Sequence, residues 1–131
     1  MTSEVFHYSQ LLCESIKEDF KNYKMKSYQN CLEKTPESSH HKECLESIRN
    51  GTYDYNFDVE IDEGRKYLKV VLITYGAKSV HCFIDKMNGN VFKPASFNAP
   101  AKGVRYNLLN ADSRDKCYNY ADWSGSYLYM R

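Results

Sequence analysis

The sequence predicts an α+β fold, an N-terminal helical hairpin packed on an antiparallel meander of about four or five strands. Three observations carry that expectation. Apolar residues recur at helical spacing in the first third, as in Leu12, Ile16, Phe20 and Tyr23. Beyond Gly51 the rhythm changes to two, with Tyr53, Tyr55, Phe57, Val59 and Ile61 alternating with Asp54, Asn56, Asp58 and Glu60. Asn88-Gly89 then stands between two apolar runs, where it signals a tight hairpin. The 131 residues are expected to form one domain, helical over 1–50 and sheet over 51–131, because neither part alone offers enough core.

Ser3 is the expected cap of the first helix, with Glu4 near its positive end. The apolar pattern continues through Cys31 and Leu32. Thr35-Pro36-Glu37 reads as a restart: Thr caps, Pro takes the first helical position, and Glu meets the helix dipole. Asn50-Gly51 ends that second helix by supplying a left-handed residue. Asp62 to Arg65 forms a turn, and Lys66 to Tyr75 is a second, central strand, apolar on both faces around Val70 to Ile73. Gly76 to Ser79 is expected to turn the chain into a third strand, Val80 to Ile84. A short fourth strand, Val91 to Lys93, is stopped by Pro94. Residues 94–111 read as a structured loop, Asp112 or Ser113 as the cap of a short helix, and Tyr127 to Met130 as a last strand.

Hydrophobic residues make up 42% of the chain and charged residues 27%, which excludes a disordered body. The net charge of +1 gives no overall field toward nucleic acid or membrane. The first ten residues lack the basic and apolar regions of a secretory signal, and no apolar run approaches bilayer length. Five cysteines, an odd number at irregular spacing, point to reduced thiols. The expected place is therefore a cytosol-like, intracellular compartment, with no secretion and no membrane partner.

Chemistry-bearing residues are sparse. Cys31, His40, His41 and Cys44 are all zinc-ligand types, but C-x8-H-H-x2-C matches no known finger, and packing of a helical hairpin explains them better. His81 and Cys82 are neighbours on a strand and point to opposite faces, so they cannot act as base and nucleophile. Asp85 shares the His81 face only on a regular pleat. No catalytic residue, metal or cofactor is expected. No Asp or Glu occurs between Asp85 and Asp112, and Lys93, Ser96, Lys102, Gly103, Arg105 and Tyr106 lie in that acid-free stretch. Small residues and cations there suit an anion, and an aromatic ring suits a base. A Pro-fixed loop packing over the sheet accounts for the same residues. Tyr118, Tyr120, Trp123, Tyr127 and Tyr129 form a second candidate group, in a chain that is 15% aromatic. Flat side chains with one polar tip suit protein contact, and equally suit the closing of a core.

The run F-I-D-K-x-N-G-N-V-F-K-P-A-S-F-x-A-P-A-K-G-V-R-Y-N-L, Phe83 to Leu108, resembles small uncharacterised proteins of bacteriophages and large DNA viruses. These share a hairpin leading into a K-P-A-S-x-x-A-P-A-K-G-x-R loop. The ending from Asp122 to Tyr129 is similar to theirs, so the resemblance covers roughly residues 66–131. It implies a viral origin and no mechanism. The leading expectation is a non-enzymatic viral protein acting through protein–protein contacts, with virion subunits among its partners, an oligomer as one form, and a minor virion component as its sharpest version. The alternative is a nucleic-acid or nucleotide-phosphate binding module using the Lys93–Arg105 loop.

Overall fold

The computed structural model describes residues 3–129. The side chain of Ser3, the expected cap, and Met130 at the expected end of the last strand lie outside the described residues. The first helix, α1 (Ser3–Lys34), runs unbroken for 32 residues, about 48 Å at 1.5 Å per residue. Its buried stripe is Val5, Ser9, Leu12, Ile16 and Phe20. Ser9 is tolerated there because its hydroxyl donates to the Val5 carbonyl at 2.7 Å. Tyr23 leaves the expected stripe and lies at the protein surface against Trp123.

The second helix, α2 (Ser39–Asn50), begins later than the Thr35-Pro36-Glu37 signal places it. Ser38 is the cap, accepting from the His41 amide at 3.3 Å, and Thr35 to Glu37 form the turn between the helices. Gly51 ends α2 in the left-handed conformation, as expected. α2 packs back along α1, so the hairpin meets the sheet through α1.

Five antiparallel strands form the main sheet in the order β1-β2-β3-β4-β7, bringing together β1 (Phe57–Glu63), β2 (Tyr67–Thr74), β3 (Ala77–Asp85), β4 (Asn90–Phe92) and β7 (Tyr106–Asn107). The first strand starts four residues after Tyr53. Asn56 takes a positive φ of 52°, with its amide donating to the Asp54 carboxylate, and this turn breaks the pleat. The β2–β3 turn is Tyr75-Gly76, both at positive φ, and not Gly76–Ser79. Such a two-residue loop matches the strand twist, so pairing resumes at once with Thr74 opposite Ala77. Asn88-Gly89 does lie in a hairpin, but the loop has four residues and is organised by Asp85, whose carboxylate accepts from the Met87 and Asn88 amides.

β5 (Pro94–Ser96) and β6 (Ala99–Pro100) make a separate small ladder within the expected loop. It lies against β3, and Phe97 at its tip sits over Lys69, on the face opposite α1. Asn110 caps α3 (Ala111–Tyr120) by accepting from the Ser113 amide, so the cap precedes Asp112 and Ser113. The expected last strand is a 3-10 turn, Ser126–Leu128, fixed by bonds from Ser126 to the Asp122 carboxylate. One core joins α1, the sheet, α3 and the C-terminal segment through Leu12, Ile16, Val70, Cys82, Ile84, Leu108, Cys117 and Leu128.

The displaced cap is directly checkable. Ser38→Ala is expected to cost about 1 kcal/mol in urea unfolding followed by circular dichroism, and Thr35→Ala is expected to leave the midpoint unchanged.

Candidate functional site

A β-bulge in the β2–β3 ladder sets His81 out of the regular alternation, between Val80, opposite Val71, and Cys82, opposite Val70. His81 is 5% exposed, and its Nε2 lies 2.8 Å from the Tyr127 hydroxyl. Burial lowers the imidazole to about 4, against a smaller upward pull from the Asp122 carboxylate. Burial also raises the Tyr127 phenol well above its ordinary value. Both groups are therefore neutral near pH 7. A phenol that kept its proton from Nε2 would leave a buried donor unpaired, so the hydroxyl donates and His81 carries its own proton on Nδ1. Asp85 serves its turn and makes no bond to His81.

Next to this pair lies a cleft of about 450 Å³. Its floor comes from Leu72, Thr74, Ser79 and Val80, one side from Lys93-Pro94, and the facing wall from Trp123 to Gly125, Leu128 and Tyr129. Several bonds hold that wall in place. The Arg105 Nε donates to the Leu128 carbonyl at 2.6 Å, the Tyr106 hydroxyl donates to the Tyr127 carbonyl at 3.2 Å, and the Trp123 amide donates to the Asp19 carboxylate at 3.0 Å. Trp123 meets Phe20 edge-on at 5.5 Å.

The residues expected to bind an anion do not converge. Lys93 lines this cleft, with Nζ 4.8 Å from the centre of the Tyr129 ring. Arg105 and Tyr106 line a different hollow, near the start of α3. The Arg105 Nη1 donates to the carbonyls of Lys102 and Gly103, at 2.9 and 2.7 Å. Ser96 accepts from the Asn98 amide at the tip of the small ladder, and Lys102 is exposed.

The aromatic candidates divide. Tyr118 donates to the Tyr8 carbonyl, and Trp123 and Tyr127 pack against the core, whereas Tyr120 and Tyr129 are each 64% exposed. Of the metal-ligand types, His41 Nδ1 pairs with the Ser38 hydroxyl at 2.7 Å and His40 with Cys44 at 3.8 Å. Among the described residues, no three of His, Cys, Asp and Glu meet in a group able to hold a metal ion. All five cysteines are free, and burial raises Cys13 and Cys117 to about 12, which keeps them protonated. No described helix is long and apolar enough to cross a membrane. Sequence reasoning did not find Leu72, Thr74, Ser79 and Val80 as cleft residues. The available signal was Pro94, which ends β4 before it can cover the start of β3.

The chain belongs to the DUF7717 family, a family of unknown function whose model matches residues 1–130. The family pattern thus spans the helical hairpin as well as the sheet. No curated protein and no solved structure matches the chain.

The neutral imidazole gives stability a pH dependence of definite sign. The unfolded histidine takes up its proton near 6.5 and the folded one only near 4. Its contribution is complete above pH 6.5 and is lost as pH falls toward 4, by on the order of 3 kcal/mol. Chemical denaturation across that range is expected to show the loss, and His81→Gln to flatten it.

Proposed function

We propose that the chain is a non-enzymatic viral protein acting through protein–protein contacts, with a minor virion component as its sharpest form. The cleft carries the reading. An aromatic and aliphatic wall, Trp123, Leu128 and Tyr129, faces a strand, and the Tyr129 ring is left largely to solvent at the rim. Partly exposed Tyr and Trp beside apolar walls are the side chains on which protein interfaces concentrate their energy. Tyr120 offers a second exposed ring at the end of α3. The viral part of the reading rests on the resemblance of residues 66–131 to phage and large-DNA-virus proteins, and the proposed location in the host cytoplasm or the particle rests on it too.

A nucleic-acid or nucleotide-phosphate module has less support. Arg105 directs its guanidinium at three backbone carbonyls, and Lys93 opens into a different hollow from Arg105. Phosphate binding needs cations with free donors on one surface.

Mass spectrometry of purified virions is expected to find the chain at low copy number, and its absence from infectious particles would remove the virion form. Fluorescence titration with single-stranded DNA is expected to show no binding at low salt. A salt-sensitive affinity abolished by Lys102→Gln would put phosphate recognition in place of protein contact.

A further inference from the structure

The first half of β3 lacks a strand on one side. β4 pairs with β3 only at Phe83–Phe92 and Ile84–Val91, whereas β3 begins at Ala77. The two-residue turn makes Thr74 and Ala77 a hydrogen-bonded pair, and antiparallel pairs alternate. Lys78 opposite Ile73 and Val80 opposite Val71 are then the pairs whose N–H and C=O groups point away from β2. They point to the side that β4 does not reach. Among the described residues, no loop amide or carbonyl bonds to them. The cleft reaches this open edge at Ser79, Val80 and His81 and extends from it over the sheet face at Leu72 and Thr74.

We propose that the cleft receives an extended acidic peptide of a partner protein, which adds a strand to β3 at Lys78–Val80 and sets a carboxylate against Lys93. The proposal rests on the protein-contact reading and specifies its partner. Main-chain pairing supplies affinity in such an arrangement, and the alternate side chains supply specificity by entering pockets. Here the pocket wall is Trp123, Leu128 and Tyr129. The open stretch, Ala77 to His81, is about 13 Å long at roughly 3.3 Å per residue, enough for four or five residues of an added strand.

Charge selects the acidic partner. Lys93 is half-buried and forms no ion pair among the described residues; its ammonium is held only by the Tyr129 ring and, at 3.4 Å, by the Pro94 carbonyl. The Nδ1 proton of His81 is a further donor beside the cleft. The nearby Asp122 carboxylate is engaged by the amide and hydroxyl of Ser126, and Lys78 is paired with Glu60. Of the two edge strands, β7 is only two residues long and has α3 packed against it, and β1 carries Asp58, Glu60, Asp62 and Glu63. Those charges repel an acidic strand and leave β3 as its place.

The test selects a displayed library of random decapeptides on the full chain. The expected winners alternate apolar residues with Asp or Glu. Their affinity should fall roughly tenfold on Lys93→Gln, and by a similar factor when the pairing amides are N-methylated. In parallel, a photocrosslinking amino acid is placed at Tyr129 or at Tyr120 in infected cells. A protein crosslink at Tyr129 together with acidic, N-methyl-sensitive winners establishes the proposal. A heterologous crosslink without such winners, or winners indifferent to Lys93→Gln, overturns the added strand and leaves protein contact standing. A crosslink between two copies of the chain assigns the edge to self-assembly and overturns the acidic partner. Silence from both positions removes the proposal and the contact reading together.

Discussion

The hydrogen bond between His81 Nε2 and the Tyr127 hydroxyl fastens the C-terminal segment to the sheet, and the shape of the cleft follows from it. His81 is buried and Tyr127 is partly buried against the core, so separating them would leave polar groups poorly satisfied, at about 1–3 kcal/mol for each one stranded. Burial also keeps the ring neutral, which allows a single short bond to satisfy the phenol. The backbone around Tyr127 is clamped as well, since Tyr106 and Arg105 donate to the carbonyls of residues 127 and 128. Three side chains from two strands and a loop thus fix a 3-10 turn that has little intrinsic stability of its own. The same bonds hold Leu128 in the core and leave Tyr129, the next residue, outside it.

Pro94 explains why there is a cleft beside that segment. β4 could otherwise continue along β3 toward Ala77 and close the edge. Proline lacks the N–H that a central ladder needs, and the chain departs after Phe92. The tip of the ladder that follows then lies on the opposite face, where the Lys69 ammonium sits 4.3 Å from the centre of the Phe97 ring and 5.8 Å from that of Phe83. One local constraint therefore covers one face of the sheet and uncovers one edge.

The helix-to-sheet change was legible because it is periodic. A long helix, the Gly51 stop and the antiparallel meander all follow from spacing and from residues with a strong backbone preference. Boundaries set by single side-chain bonds were not. Ser38 and Thr35 are equivalent caps on paper, and only the His41 contact separates them. Tyr53 and Tyr55 keep the alternation of the strand that follows, yet the Asp54–Asn56 turn detaches them, and Tyr53 pairs with Tyr28 of α1 at 2.6 Å. Tyr127 has the alternation of a strand residue, but its partner is the ring of a bulged histidine 46 positions away. Such long-range choices leave no local pattern.

The acid-free stretch was the hardest feature to read, because charge alone does not name its counterpart. Arg105 is matched by three backbone carbonyls, to which its Nε and Nη1 donate. This cation ties the C-terminal segment to the loop before β7, and a carboxylate nearby would compete for the same donors. Absence of acid is what such a scheme requires, so it does not by itself indicate an external anion. Lys93 differs in a physical respect. A ring face attracts an ammonium without accepting its protons in line, so the Tyr129 stack positions the charge and leaves donors directed elsewhere. Half-burial raises the cost of leaving those donors unmatched, and Pro94 holds the residue where an added strand would pass.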